Sequence, residues 1–99
     1  MPDEDYTESV LRVVESIPPG KVLNYGAIAV IVGRGGPRQV GAVMTNVGGG
    51  VPWWRVVYAD GSLPGCHRPD ALDHYREEQT PMRAGESVVD IRQAFWKDA

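Results

Sequence analysis

Residues 24–47 read NYGAIAVIVGRGGPRQVGAVMTNV, and the reading of this stretch decides the fold. Asn24 has a side-chain oxygen able to accept from the free N–H groups that open a helix. Tyr25 to Val32 then reads as a short, largely buried helix, and Gly33 falls where a left-handed C-cap residue is wanted. Arg34-Gly35-Gly36 makes the turn. Pro37 stands at a first helical position, where a missing N–H costs nothing, and the helix it opens is predicted to run to about Thr45. Two short helices joined by a tight glycine-bearing turn form a helix-turn-helix. The later helix of such a pair is the one that usually meets DNA.

Working outward, Asp5 followed by Glu8 reads as a capping box. Tyr6, Val10, Val13, Val14 and Ile17 recur at helical spacing up to the stop Pro18-Pro19-Gly20. A short extended piece at Val22-Leu23 leads into Asn24. Downstream, Gly48-Gly49-Gly50 breaks the third helix. Val51–Tyr58 is expected to be strand-like with Pro52 at its start, and the turn signal Asp60-Gly61 suggests a hairpin or wing over residues 51–64. Pro69-Asp70 opens a fourth predicted helix, with the acid suited to the helix dipole and Leu72 and Tyr75 facing inward. Val88-Val89, Ile91 and Phe95-Trp96 are expected to pack back on the core. The pattern has no internal repeat and predicts one small α+β domain of winged helix-turn-helix type across residues 1–99.

Ninety-nine residues suffice for a single modest core. The contents of 42% hydrophobic and 23% charged residues are ordinary for a globular protein. No apolar run approaches the ~20 residues of a membrane span, and MPDEDYTES is acidic, unlike the start of a signal peptide. No membrane partner is expected. The lone Cys66 excludes an internal disulfide and fits a reducing compartment, so the expectation is a cytoplasmic monomer. The net charge of −3 is unevenly spread. Residues 16–59 contain no acid and hold Lys21, Arg34, Arg38 and Arg55, while both flanks are acidic. Such segregation favours an anionic partner at that surface, and these four side chains are the candidate phosphate contacts. A core segment that merely excludes acids is the other reading.

Candidate chemistry is sparse. Cys66-His67 places a thiol beside an imidazole, but chain neighbours rarely adopt the geometry that activates a nucleophile. Zinc held by Cys66, His67 and His74 lacks a fourth ligand and any common spacing, and His74 reads as a solvated helix residue. Neither a phosphate-binding loop nor a dinucleotide fingerprint is present, so no metal or cofactor is expected. The tandem Trp53-Trp54 is more informative. On a strand the two indoles would face opposite sides, one into the core and one elsewhere.

Three ordered segments carry a resemblance: IPPGKVLNYGAIA at 17–29, GPRQVGAVM at 36–44 and VPWWRVVYADGSLP at 51–64. The chain resembles the O6-alkylguanine-DNA alkyltransferases over roughly residues 6–96, and within them the alkyltransferase-like branch. The family shows a Pro-Gly-Lys/Arg opening, a TYG- or SYG-type helix start, an ARxVG-type recognition helix and PCHRVV at its active site. The alkyltransferase-like branch carries PWHRVV, and here the line is PWWRVV. The resemblance implies that Trp53 stands at the nucleophile position, Trp54 at that of the activating histidine, and Leu72 near that of the supporting glutamate. No catalytic residue would then remain. It also implies that Tyr25 rotates the lesion's phosphate and that Arg38 fills the stack vacated by the flipped base. Gln39 would join the DNA contacts, and Asn46 resembles a hinge asparagine. Trp53, Met44, Leu63, Pro64 and Cys66 would wall the lesion pocket. The implied protein is a non-enzymatic sensor that flips O6-alkylguanine in double-stranded DNA and flags it for nucleotide excision repair proteins. Two alternatives stay open: an alkyltransferase using Cys66, and a winged-helix module without lesion preference.

Overall fold

The computed structural model describes residues 4–63, 68–83 and 88–99. Among the described residues five α-helices lie in chain order: α1 (Glu4–Ser16), α2 (Tyr25–Val32), α3 (Pro37–Val47), α4 (Arg68–Glu78) and the single turn α5 (Ile91–Ala94). Two short strands, β1 (Leu23–Asn24) and β2 (Val56–Val57), pair in parallel with Leu23 opposite Val56 and Asn24 opposite Val57. The result is a small α+β domain of the winged helix-turn-helix type.

The helix-turn-helix forms as its local signals direct. The Asn24 side-chain oxygen accepts from Ala27 N–H at 2.7 Å, and Gly33 closes α2 with φ 91°, a left-handed angle that a β-carbon disfavours. Pro37 is the first residue of α3, which runs two residues past the expected Thr45, to Val47. Gly35, at φ 74°, packs so closely on α1 that a β-carbon there would lie 2.5 Å from the Tyr6 hydroxyl. The Arg34 guanidinium lies over the same Tyr6 ring, 5.4 Å from its centre. The turn is therefore seated on α1.

The strands divide the core. Side chains alternate along extended backbone, so Leu23 and Val56 join Tyr6, Val10, Val14, Ile28 and Val40 in one cluster. Val22 and Val57 face the other way and join Leu63, Ala71, Tyr75, Val89 and Ala94. The tail packs back as expected: Val22 bridges to Phe95, and Trp96 N–H donates to Val22 O at 3.0 Å.

Two expectations fail. Because α1 already begins at Glu4, Asp5 lies within its first turn and is not the capping residue. Among the described residues 51–63 there is no continuous strand and no paired hairpin, although the expected turn at Asp60-Gly61 forms, with Gly61 N–H donating to Tyr58 O and Tyr58 N–H to Ser62 O, both at 2.8 Å. Trp53–Arg55 is a 3₁₀ turn, closed by Arg55 N–H donating to Pro52 O at 3.0 Å, and β2 pairs with the distant β1. Contacts with α4 outweigh the strand preference of Val, Trp and Tyr, as the site shows.

Candidate nucleic-acid interface

The 3₁₀ turn is held from below by α4. Tyr75, buried on that helix, donates its hydroxyl to Trp54 O at 2.5 Å. Glu78, one turn further, gathers four N–H groups into one half-buried carboxylate. Trp54 Nε1 donates at 2.9 Å, Gly20 N at 3.2 Å and Arg55 Nε at 3.1 Å, while Arg55 Nη2 makes the closest ion-pair contact. Arg55 also donates to Ile17 O at 2.8 Å. Burial alone would raise the Glu78 pKa, but the donors from Arg55, Trp54 and Gly20 outweigh it and hold the carboxyl below its usual range.

This cluster corrects three sequence readings. Arg55 is not a phosphate contact. Its side chain is 14% exposed and spent on Glu78 and Ile17, because a cation behind the turn is needed to neutralise the buried carboxylate. Position 54 does have a carboxylate partner, and it is Glu78 rather than a residue near Leu72. His74 is not solvated: its ring stacks on Trp54 with centres 3.5 Å apart and planes within 4°, and meets Trp53 edge-on at 5.9 Å. The indoles themselves are edge-to-face at 5.6 Å, so they do not alternate as on a strand.

Trp53, packed edge-on against Trp54 and His74, lines a cavity of about 570 Å³ between α3, the Gly48–Gly50 turn and the start of α4. That size lies within the roughly 300–1,000 Å³ typical of small-molecule sites. Tyr25, Met44 and Leu63, three of the residues singled out in the sequence, share its wall with Trp53. Thr45, Gly48, Gly49, Val56 and Asp70 line it too. Their contribution depends on how α4 and the glycine turn fold over α3, which no local pattern announces. Pro64 and Cys66, the other expected wall residues, lie outside the described residues.

Tyr25 opens α2 at the cavity's edge, its ring 5.6 Å from that of the exposed Tyr58. Burial, with a smaller effect from Tyr58, pushes its pKa up, so the hydroxyl stays protonated and able to donate to an anion. Arg38 is exposed in the first turn of α3 and Asn46 in its last. Gln39 is exposed beside Arg38, but its side-chain oxygen accepts from Gly36 N at 2.9 Å and so caps α3. Lys21 and Arg34 are exposed as well, with Lys21 Nζ 3.5 Å from Gln93 O. Thus Arg38, Lys21 and Arg34 remain on the surface, while Trp53, Met44, Leu63 and Tyr25 converge on the cavity.

Fold and site together define a winged helix-turn-helix protein with an aromatic cavity beside its second helix. The chain belongs to the family described as 6-O-methylguanine DNA methyltransferase, DNA binding domain, whose model it matches over residues 5–82. It is 32% identical over 100 residues to a DNA base-flipping protein of Escherichia coli K12, covering 95% of this chain and 76% of that protein. A DNA base-flipping protein of Vibrio parahaemolyticus is 35% identical over 63 residues, covering 61% of this chain and 63% of that protein. Among solved structures, S. pombe Atl1 in complex with damaged DNA containing O6-carboxymethylguanine superposes with TM-score 0.82 at 29% identity. That match covers 98% of this chain and 99% of the other. A second S. pombe complex with DNA gives TM-score 0.80 at 30% identity, with the same coverage.

Proposed function

We propose that this chain is a non-enzymatic DNA-damage sensor that binds double-stranded DNA, flips an O6-alkylguanine into the Trp53 cavity and holds it there without chemistry. The carrying observation is the cavity itself: an aromatic-walled space beside the helix-turn-helix, with an indole at the position the family resemblance assigns to the alkyl acceptor. An indole face stacks on a base and offers no nucleophile to take its alkyl group. The names and complexes of the relatives support the same reading.

Each step has a residue suited to it. Arg38, Lys21 and Arg34 supply surface charge for the phosphates, and the Tyr25 hydroxyl is a donor for the phosphate of the extruded nucleotide. Arg38, exposed in the first turn of α3, is the side chain to which this reading gives the gap left in the stack. Trp54 has no role toward the base. Tied to Glu78 and stacked on His74, it anchors the turn that presents Trp53. Because the sensor leaves the lesion intact, removal falls to another system, which the family resemblance implies to be nucleotide excision repair.

The test is to mix the protein with an O6-methylguanine duplex and with the matched undamaged duplex, and to follow binding by anisotropy and the protein by intact-mass spectrometry. Lesion-selective binding with no mass gain is expected. Transfer of a methyl group to the protein would establish an alkyltransferase, and equal binding to both duplexes would leave only a general DNA-binding module.

A further inference from the structure

The described residues of the cavity wall are aromatic, aliphatic or small and neutral, with one exception. Asp70, in the first turn of α4, is the only formally charged side chain among the described residues that line it. No described cation lines the cavity to offset it. Arg55 is committed to Glu78 behind the turn, and Arg38 lies toward the opposite end of α3 from Met44 and Thr45. The Arg76–Asp73 pair of the same helix is almost wholly exposed, and neither partner lines the cavity. Among the described lining residues, then, one exposed carboxylate supplies the only formal charge, and it repels an anionic group brought close to it more than a neutral one.

We propose that Asp70 sets the charge selectivity of the cavity, disfavouring guanines whose O6 substituent is anionic and leaving neutral alkyl substituents unopposed. This rests on the reading of the cavity as the lesion pocket. The size of the effect follows from Asp70's exposure. Two like charges about 4 Å apart weaken binding roughly fivefold in fully aqueous surroundings, and far more in a drier site. An exposed carboxylate at the wall belongs near the aqueous end, at about five- to tenfold.

The probes are duplexes that differ only in the lesion's charge: O6-carboxymethylguanine and its neutral twin, O6-carbamoylmethylguanine, each beside the undamaged duplex. The quantity read is the ratio of the two lesion affinities, in which any general change in attraction to the DNA backbone cancels. The wild type should bind the neutral lesion about five- to tenfold tighter, with the ratio shrinking as salt is added. Asp70→Asn should bring the ratio close to one, and Asp70→Lys should reverse the preference. Circular dichroism verifies that both variants are folded. A wild-type ratio near one, or a ratio unmoved by both substitutions, overturns the proposal while leaving lesion binding intact. Failure to prefer either lesion over undamaged DNA would instead overturn the lesion-pocket reading, and this inference with it.

Discussion

Replacing Glu78 by alanine should be the most damaging change to the polar contacts between α4 and the 3₁₀ turn, and the structure allows the cost to be worked out. The carboxylate is the ion-pair partner of Arg55 and also accepts from Trp54 Nε1 and Gly20 N. Side-chain exposures of 14% for Arg55 and 11% for Glu78 leave the pair largely out of water. Removing one member of a buried pair costs ~3–5 kcal/mol, mostly because the remaining charge stays buried. The orphaned indole and Gly20 N–H groups would add up to ~1–3 kcal/mol each, but these losses share one carboxylate with the ion pair and are not additive with it, so ~3–5 kcal/mol in total is expected for Glu78→Ala. Glu78→Gln keeps an acceptor and should cost less. A double variant, Glu78→Gln with Arg55→Met, should recover part of the loss because the uncompensated guanidinium is gone. Urea unfolding at pH 7 followed by tryptophan fluorescence reads all three. The pH dependence supplies a second check. Since Glu78's folded pKa lies below its unfolded value of ~4.3, its contribution is fully present above that value and is lost as pH falls through the folded one. Wild type should therefore lose this stability in acid, and Glu78→Gln should lack that portion of the loss. A Glu78→Ala cost below ~1 kcal/mol would refute the reasoning.

Two further outcomes concern the helix-turn-helix and its charge. Gly33 and Gly35 both have positive φ, but only at Gly35 would a β-carbon meet Tyr6, so Gly33→Ala should cost ~1 kcal/mol and Gly35→Ala ~2–3 kcal/mol in chemical denaturation. Equal costs would show that the turn is not seated on Tyr6. With Arg55 withdrawn, Lys21, Arg34 and Arg38 are the exposed cations of the acid-free stretch, so the log–log salt slope of binding to undamaged duplex should be about −2 to −3. A slope near −6 would require a different DNA-facing surface.

What could be read from the sequence follows the range of the forces involved. Asn24, Gly33 and Pro37 act on N–H groups and dihedrals within a few residues of themselves, and α2, the turn and α3 stand where those residues put them. The error of two residues at Val47 is the ordinary fraying of a helix into a glycine turn. Residues 51–58 failed because their conformation is decided elsewhere. β-propensity favours a strand, but Tyr75 and Glu78 on α4 hold the Trp54 carbonyl, the Trp54 indole and the Arg55 guanidinium in a tight turn. Charge counting assigned Arg55 to DNA for the same reason, since it cannot see a partner brought in by a later helix. His74 escaped because nothing near it in the chain foretells the Trp54 ring beneath it. Within the site, Tyr25, Met44, Trp53 and Leu63 were reachable through motif resemblance, whereas Asp70 looked like no more than a helix-dipole residue.

The central claim is that Trp53 stacks on a flipped lesion, and one ratio tests it: the affinity for an O6-methylguanine duplex divided by that for its undamaged twin, in wild type and in Trp53→Ala. Losing one base–aromatic stack is worth ~1–3 kcal/mol, so the ratio should fall about five- to more than a hundredfold while binding to undamaged DNA holds. Undiminished lesion preference in a folded Trp53→Ala protein would contradict the account.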